Sequence, residues 1–155
     1  MRTLAQWVGE YSESHRHPRN KLIHWICVPL IVWTVTALLW AIPVPAWAGG
    51  VRGSWALLAA VLALAFYAGL SIRLALVMSL VFAVNLGLSL VIEQQFGRSA
   101  LLWSAVTVFV LAWIAQFIGH EIEGKKPSFL ADLAFLLIGP AWIANYVCLK
   151  LGVRL

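Results

Sequence analysis

The sequence predicts an all-α, polytopic membrane bundle built as a single domain over residues 1–155. Three observations carry that prediction. Hydrophobic residues make up 63% of the chain and charged residues 11%, with a mean hydropathy of +0.91. A soluble domain needs about a quarter charged residues to cover its surface. The apolar residues gather into long runs, each near the roughly 20 residues that cross a bilayer as a helix. The Lys and Arg residues, finally, sit in short pieces at the ends of those runs, where they set topology and meet anionic lipid.

The elements follow in order. Thr3–Ser14 is amphipathic and suits a short interfacial helix. Leu22–Ile42 is the first expected span, closed by "PVPAWAGG", whose prolines and glycines cannot continue a helix. Trp55–Ile72 and Leu74–Ile92 are separated by little more than Arg73, which predicts a tight helical hairpin with Arg73 at its tip. Residues Ala100–Ile118 form the fourth expected span and Phe129–Leu149 the fifth, with a kink at Gly139-Pro140. That gives about five transmembrane segments.

With five crossings, Arg2, Arg16, Arg19, Lys21, Arg73, Lys125 and Lys126 share the amino-terminal side. Arg52, Arg98, Lys150 and Arg154 share the other. The positive-inside rule places the amino terminus in the cytoplasm, in a bacterial inner membrane or an ER membrane. The basic excess forms no run or aromatic-interleaved patch of the kind that binds nucleic acid, so nucleic acid is excluded as a partner. Cys27 and Cys148 lie in apolar runs without a CxxC pattern and read as buried thiols. The first twenty residues hold Glu10, Glu13, Arg16 and Arg19 and no apolar core, which argues against a cleaved signal peptide.

Three of the four histidines fall in "HRHPRNKLIH", His15 to His24, at the entrance of the first span. His120 follows the fourth span in "QFIGHEIEGKKP". An even number of crossings separates His24 from His120, so all four histidines meet at one membrane face. Histidine is costly in hydrocarbon and, near it, faces a bundle interior or polar cavity. His120 and Glu123 share a helical face, as do His17, Asn20 and His24 if a helix begins at Pro18. Imidazoles and a carboxylate from two elements fit Fe(II), Zn or Mn. Two histidines and a carboxylate with open positions is the arrangement of non-haem Fe(II) oxygenases. The simpler alternative is interfacial histidines bonded to lipid heads and carbonyls.

The stretch "HxHPRNKLIHWICVPL" resembles the amino-terminal signature of the small membrane 2-hydroxy fatty acid dioxygenases. "WIAQFIGHEIEGKKPSF" and "LLIGPAWIANY" are similar to two further motifs of that family, in the same order and at matching distances over nearly the whole chain. The resemblance implies Fe(II)-dependent α-oxidation, in which a 2-hydroxy fatty acid and O₂ yield a fatty acid one carbon shorter. It implies His15, His24 and His120 as metal ligands and Asn20 beside them. His17 stands where the family would have Asn. A carboxylate follows the Gly-His pair at varying spacing, so Glu123 is the fourth expected ligand and Glu121 its rival.

A 2-hydroxy acid can chelate a metal through its hydroxyl and one carboxylate oxygen. Arg19, Lys21, Lys125 and Lys126 lie at the same interface and are candidates to hold the acid head group. Each would serve equally as a topology anchor. Two other classes compete: a lipid hydrolase using Zn-bound water, and a transporter or metal-binding protein. Transporters favour inverted repeats and broken helices at the midplane. A cluster confined to one face favours the enzyme.

Overall fold

The computed structural model describes residues 2–155, the Ala48 side chain excepted. Six helices and no strand occur among these residues: α1 (Leu4–Glu13), α2 (Pro18–Ala41), α3 (Ser54–Leu70), α4 (Ile72–Phe96), α5 (Arg98–Glu123) and α6 (Phe135–Lys150). Single 3₁₀ turns at Ala46–Ala48 and Ser128–Leu130 precede α3 and α6. By length and composition, α2, α4 and α5 are able to cross a membrane; α3 and α6 are shorter apolar helices.

α1 begins with a capping box: the Gln6 amide donates to Thr3 Oγ1 (3.3 Å), and the Thr3 amide donates back to Gln6 Oε1 (2.8 Å). Leu4, Trp7 and Tyr11 are its buried face, at the i, i+3, i+7 spacing of one helical stripe. α2 starts at Pro18, whose missing N–H costs nothing at a first helical position. The His17 side chain caps it by accepting the Arg19 amide (3.2 Å).

The longest packing seam joins α2 to α5, which run antiparallel. At one end the Glu123 carboxylate meets the start of α2; at the other Arg98 donates to the carbonyl of Ala41. α3 and α4 form the expected hairpin, but its tip is Ser71. Ser71 is extended and caps α4 by accepting the Leu74 amide (3.4 Å), which leaves Arg73 inside the first turn of α4. The far end is closed by Glu93, which accepts from Trp40 Nε1 (2.7 Å) and pairs with Arg52 (3.1 Å). Gly53 starts α3 with φ +78°, and a Cβ there would lie 2.6 Å from the Trp40 ring. Only glycine lets the two elements approach so closely.

The carboxy-terminal segment departs from the expected fifth crossing. Residues 128–134 make a 3₁₀ turn and a bend in which Asp132 Oδ1 accepts the Ala134 amide (3.0 Å). α6 therefore has only 16 residues. Its beginning is tied to the hairpin end of the bundle, where Tyr67 donates to the Leu137 carbonyl (2.7 Å). The tail after it returns to the same end: Arg73 donates to the Arg154 carbonyl (2.9 Å), and Leu155 packs on the cluster of Leu4, Tyr67 and Leu74. Trp142 donates to Ser12 Oγ (3.0 Å), so α6 also lies against α1. Arg154 thus sits beside Arg73 and not on the opposite side from it.

Candidate metal centre

His15, His24 and His120 converge at the amino-terminal end of the bundle. Each offers one ring nitrogen, and these atoms lie within 4.8 Å of one another. The ring centroids are 4.2 Å apart for His15 and His24, 4.8 Å for His24 and His120, and 5.1 Å for His15 and His120. All three are buried, His15 and His24 to 1% exposure. They come from three elements: the α1–α2 turn, the second turn of α2 and the last turn of α5.

The hydrogen bonds determine which nitrogen is free. His15 Nδ1 lies 2.6 Å from the Tyr11 carbonyl, and His24 Nδ1 lies 3.1 Å from the Asn20 carbonyl. A carbonyl only accepts, so both Nδ1 atoms carry the proton and both Nε2 atoms keep a lone pair. His15 Nε2 is buried without a partner, and so is His120 Nδ1. An orphaned buried polar atom costs about 1–3 kcal/mol unless something binds it. A ligating histidine whose other N–H is held by a backbone carbonyl is the usual support for a bound metal. The residues present therefore fit a divalent ion.

Burial lowers the pKa of His15 to about 4, with the Tyr11 carbonyl opposing and His120 reinforcing the shift. The ring is neutral at pH 7, as a metal ligand must be. Between pH 6.5 and 4 the unfolded chain binds a proton that the folded chain refuses. Stability therefore falls as pH drops through this window. His15 alone should cost the metal-free protein about 2 kcal/mol at pH 5 relative to pH 7.5, read as a lower unfolding temperature in detergent. A melting temperature unchanged or higher at pH 5 would contradict this.

The α1–α2 turn that carries His15 is clamped from two sides. Glu123 accepts the amides of Arg16 (2.9 Å) and His17 (2.8 Å), and Asn20 Nδ2 bridges Glu123 (3.1 Å) to the Ser14 carbonyl (3.0 Å). Tyr11 stacks flat on His15, with centroids 4.1 Å apart. Asn20 has no exposed surface, and its Oδ1 would lie 2.4 Å from a Cβ at position 119. Gly119 thus admits the helix that delivers His120. Gly119→Ala should destabilise the fold by about 1–3 kcal/mol through this overpacking, measurable by denaturant titration.

Of the other sequence candidates, Glu123 lies outside the three-histidine group, its carboxylate engaged by the turn. His17 is exposed and caps α2; Glu121 is exposed. Arg19, Lys21, Lys125 and Lys126 do not line the histidine cavity. Lys21 shares with His15 and Arg16 a separate hollow of about 620 Å³, and Lys125 Nζ donates to the Glu13 carbonyl (3.0 Å). Two participants escaped the sequence reading, Tyr11 and Gln116. Both are four residues before a clustered histidine, Gln116 on the same face of α5 as His120, and that spacing was the available signal.

The cavity beside the histidines holds about 50 Å³ and is lined mainly by apolar side chains, among them Val28, Phe129 and Phe135. Tyr11, Trp113, Gln116 and Ser128 are its other polar side chains. Trp113 Nε1 and Ser128 Oγ are buried without partners.

A family model described as 2-hydroxy-palmitic acid dioxygenase Mpo1-like matches residues 1–151. The 2-hydroxy-palmitic acid dioxygenase MPO1 of Saccharomyces cerevisiae is 28% identical over 157 aligned positions, covering 96% of this chain and 82% of the yeast protein. No solved structure matches the chain.

Proposed function

This chain belongs to the Mpo1-like family of 2-hydroxy-palmitic acid dioxygenases, and from that premise we propose that it is an Fe(II)-dependent enzyme shortening membrane-borne 2-hydroxy fatty acids by one carbon. The observation that carries the reading is the trio of buried imidazoles with free lone pairs beside an apolar cavity. With O₂ as oxidant the atoms balance: the 2-hydroxy acid and O₂ give the shorter acid, carbon dioxide and water. No 2-oxoglutarate is needed, because cleavage of C1 from C2 supplies the four electrons that O₂ takes.

His15, His24 and His120 are the proposed metal ligands. Bound Fe(II) would supply the one-electron chemistry that O₂ requires and a docking point for the hydroxyl and carboxylate oxygens. Tyr11 and Asn20 hold His15 and His24 in the tautomer that presents Nε2. Gln116 and Ser128 bring hydrogen-bonding groups to the cavity wall, and Phe129 and Phe135 exclude water. Glu123 is proposed as the anchor of the turn that carries His15.

We place α2, α3, α4 and α5 across the membrane, with α1 and α6 lying at the amino-terminal face. This replaces the fifth crossing. Nine of the eleven Lys and Arg residues then share that face, and only Arg52 and Arg98 lie opposite. The positive-inside rule puts the nine, and the histidines, in the cytoplasm.

Three neutral imidazoles also match a catalytic zinc set, so a Zn-dependent lipid hydrolase is the second reading. Assays with 2-hydroxypalmitate and palmitate, in air and under argon, separate the two. The expected result is pentadecanoate from the hydroxy acid in air only. Palmitate should react at least about tenfold more slowly, since it cannot offer the second chelating oxygen. Undiminished turnover under argon would sink the dioxygenase reading.

A further inference from the structure

We propose that an apolar channel between α2, α3 and α5 is the acyl-chain site and that the alanine face of α3 sets the chain length accepted; this rests on the lipid-acid reading above. The channel holds about 340 Å³ and shares Ile31, Val32, Trp113, Leu136 and Pro140 with the lining of the histidine cavity. It descends away from the histidines as far as Leu39 and Ala56. From His24 to Leu39 along α2 is about 22 Å at 1.5 Å per residue, the reach of a long-chain fatty acid.

Its chemistry asks for hydrocarbon. The two hydroxyls on its wall are already spent: Thr36 donates to the Val32 carbonyl (2.8 Å) and Tyr67 to the Leu137 carbonyl (2.7 Å). Ala56, Ala59, Ala60 and Ala63 keep one side of it hollow, and larger side chains at these positions would fill it. Val35 on its rim is 41% exposed, so a tail can enter sideways from the bilayer while its acid end reaches the histidines. A second groove of about 470 Å³, between α2, α4 and α6, is also apolar, its Asn85 amide donating to the Val81 carbonyl (2.8 Å). It meets the histidine cavity at three residues, Val28, Val32 and Pro140, where the channel meets it at five, and it is the competing host that the test must exclude.

The test uses full-length protein in lipid nanodiscs and 2-hydroxypalmitic acid bearing a diazirine at its terminal carbon. Photolysis followed by peptide mass spectrometry should place the crosslinks around Leu39 and Ala56–Ala60. Separately, Ala59→Phe should lower the ratio of sixteen-carbon to ten-carbon 2-hydroxy acid turnover at least about tenfold, whereas Val84→Phe in the second groove should leave that ratio unchanged. Crosslinks at Val81 and Val84, crosslinks scattered over lipid-facing positions, or none at all would overturn the channel. So would an unchanged ratio in a folded Ala59→Phe protein. Because crosslinking needs no turnover, labelled α3 with no product from any hydroxy acid would refute the reaction and leave the channel standing.

Discussion

Replacing His15, His24 or His120 by alanine, one at a time, is expected to strip iron from the purified protein and to cut product formation by more than about a hundredfold. Loss of a supporting group around a metal costs 10- to 100-fold, so loss of a ligand costs at least that. Two imidazoles hold a divalent ion far more weakly than three, and each truncation also leaves a buried void beside the two remaining rings. His17→Ala is the internal control. His17 is exposed and serves only the Arg19 amide, so its loss should cost about 0.5–1 kcal/mol of stability and leave the iron in place. Metal analysis of the four proteins decides the matter. Loss of iron from His17→Ala with retention in His15→Ala would overturn the ligand set.

Glu123→Ala should behave differently from the histidine variants. Its carboxylate holds two backbone amides and the Asn20 side chain, and hydrogen bonds to a charged group contribute about 1.5–3 kcal/mol each. The expected outcome is a loss of about 2–4 kcal/mol in stability and a 10- to 100-fold loss in activity, as the turn carrying His15 loosens. Iron should still bind at one per chain when supplied in excess. A stable Glu123→Ala protein that cannot bind iron would instead make Glu123 a ligand.

Much of the architecture is legible in the sequence because hydropathy reports length directly. The runs at α2, α4 and α5 are long, and their ends carry the charges, or after α2 the prolines and glycines, that stop them. The last helix is not legible in that way. Its apolar run is interrupted by a 3₁₀ turn and by Asp132, which closes a bend, and hydropathy does not register where helical geometry begins. The contact that turns the tail back, Arg73 to the Arg154 carbonyl, joins positions far apart in the chain and has no local signature. The hairpin tip moved from Arg73 to Ser71 for a simpler reason: a serine can cap the next helix and an arginine cannot.

At the site, an even number of crossings between His24 and His120 predicts that they meet, and the structure brings their rings to 4.8 Å between centroids. What the residue spacing does not carry is the state of the Glu123 carboxylate. A carboxylate three residues after a histidine has the spacing of a ligand. Here its partners are main-chain amides of a turn more than a hundred residues away, and a backbone donor leaves no trace in the residue types.

His15 and His24 are separated from His120 by most of the apolar length of the chain, which has a consequence for assembly. During synthesis His15 and His24 enter the bilayer region first, and His120 joins them only after α5 is in place. An ion held by all three could not be captured before α5 is made. Under the proposed function, metal loading would report that α5 is in place, and the ion would be a clasp between the α1–α2 turn and the end of α5. Growth in iron-poor medium should yield protein whose residues 14–17 are cut by added protease, and iron should close that cut before it changes anything in the buried helices.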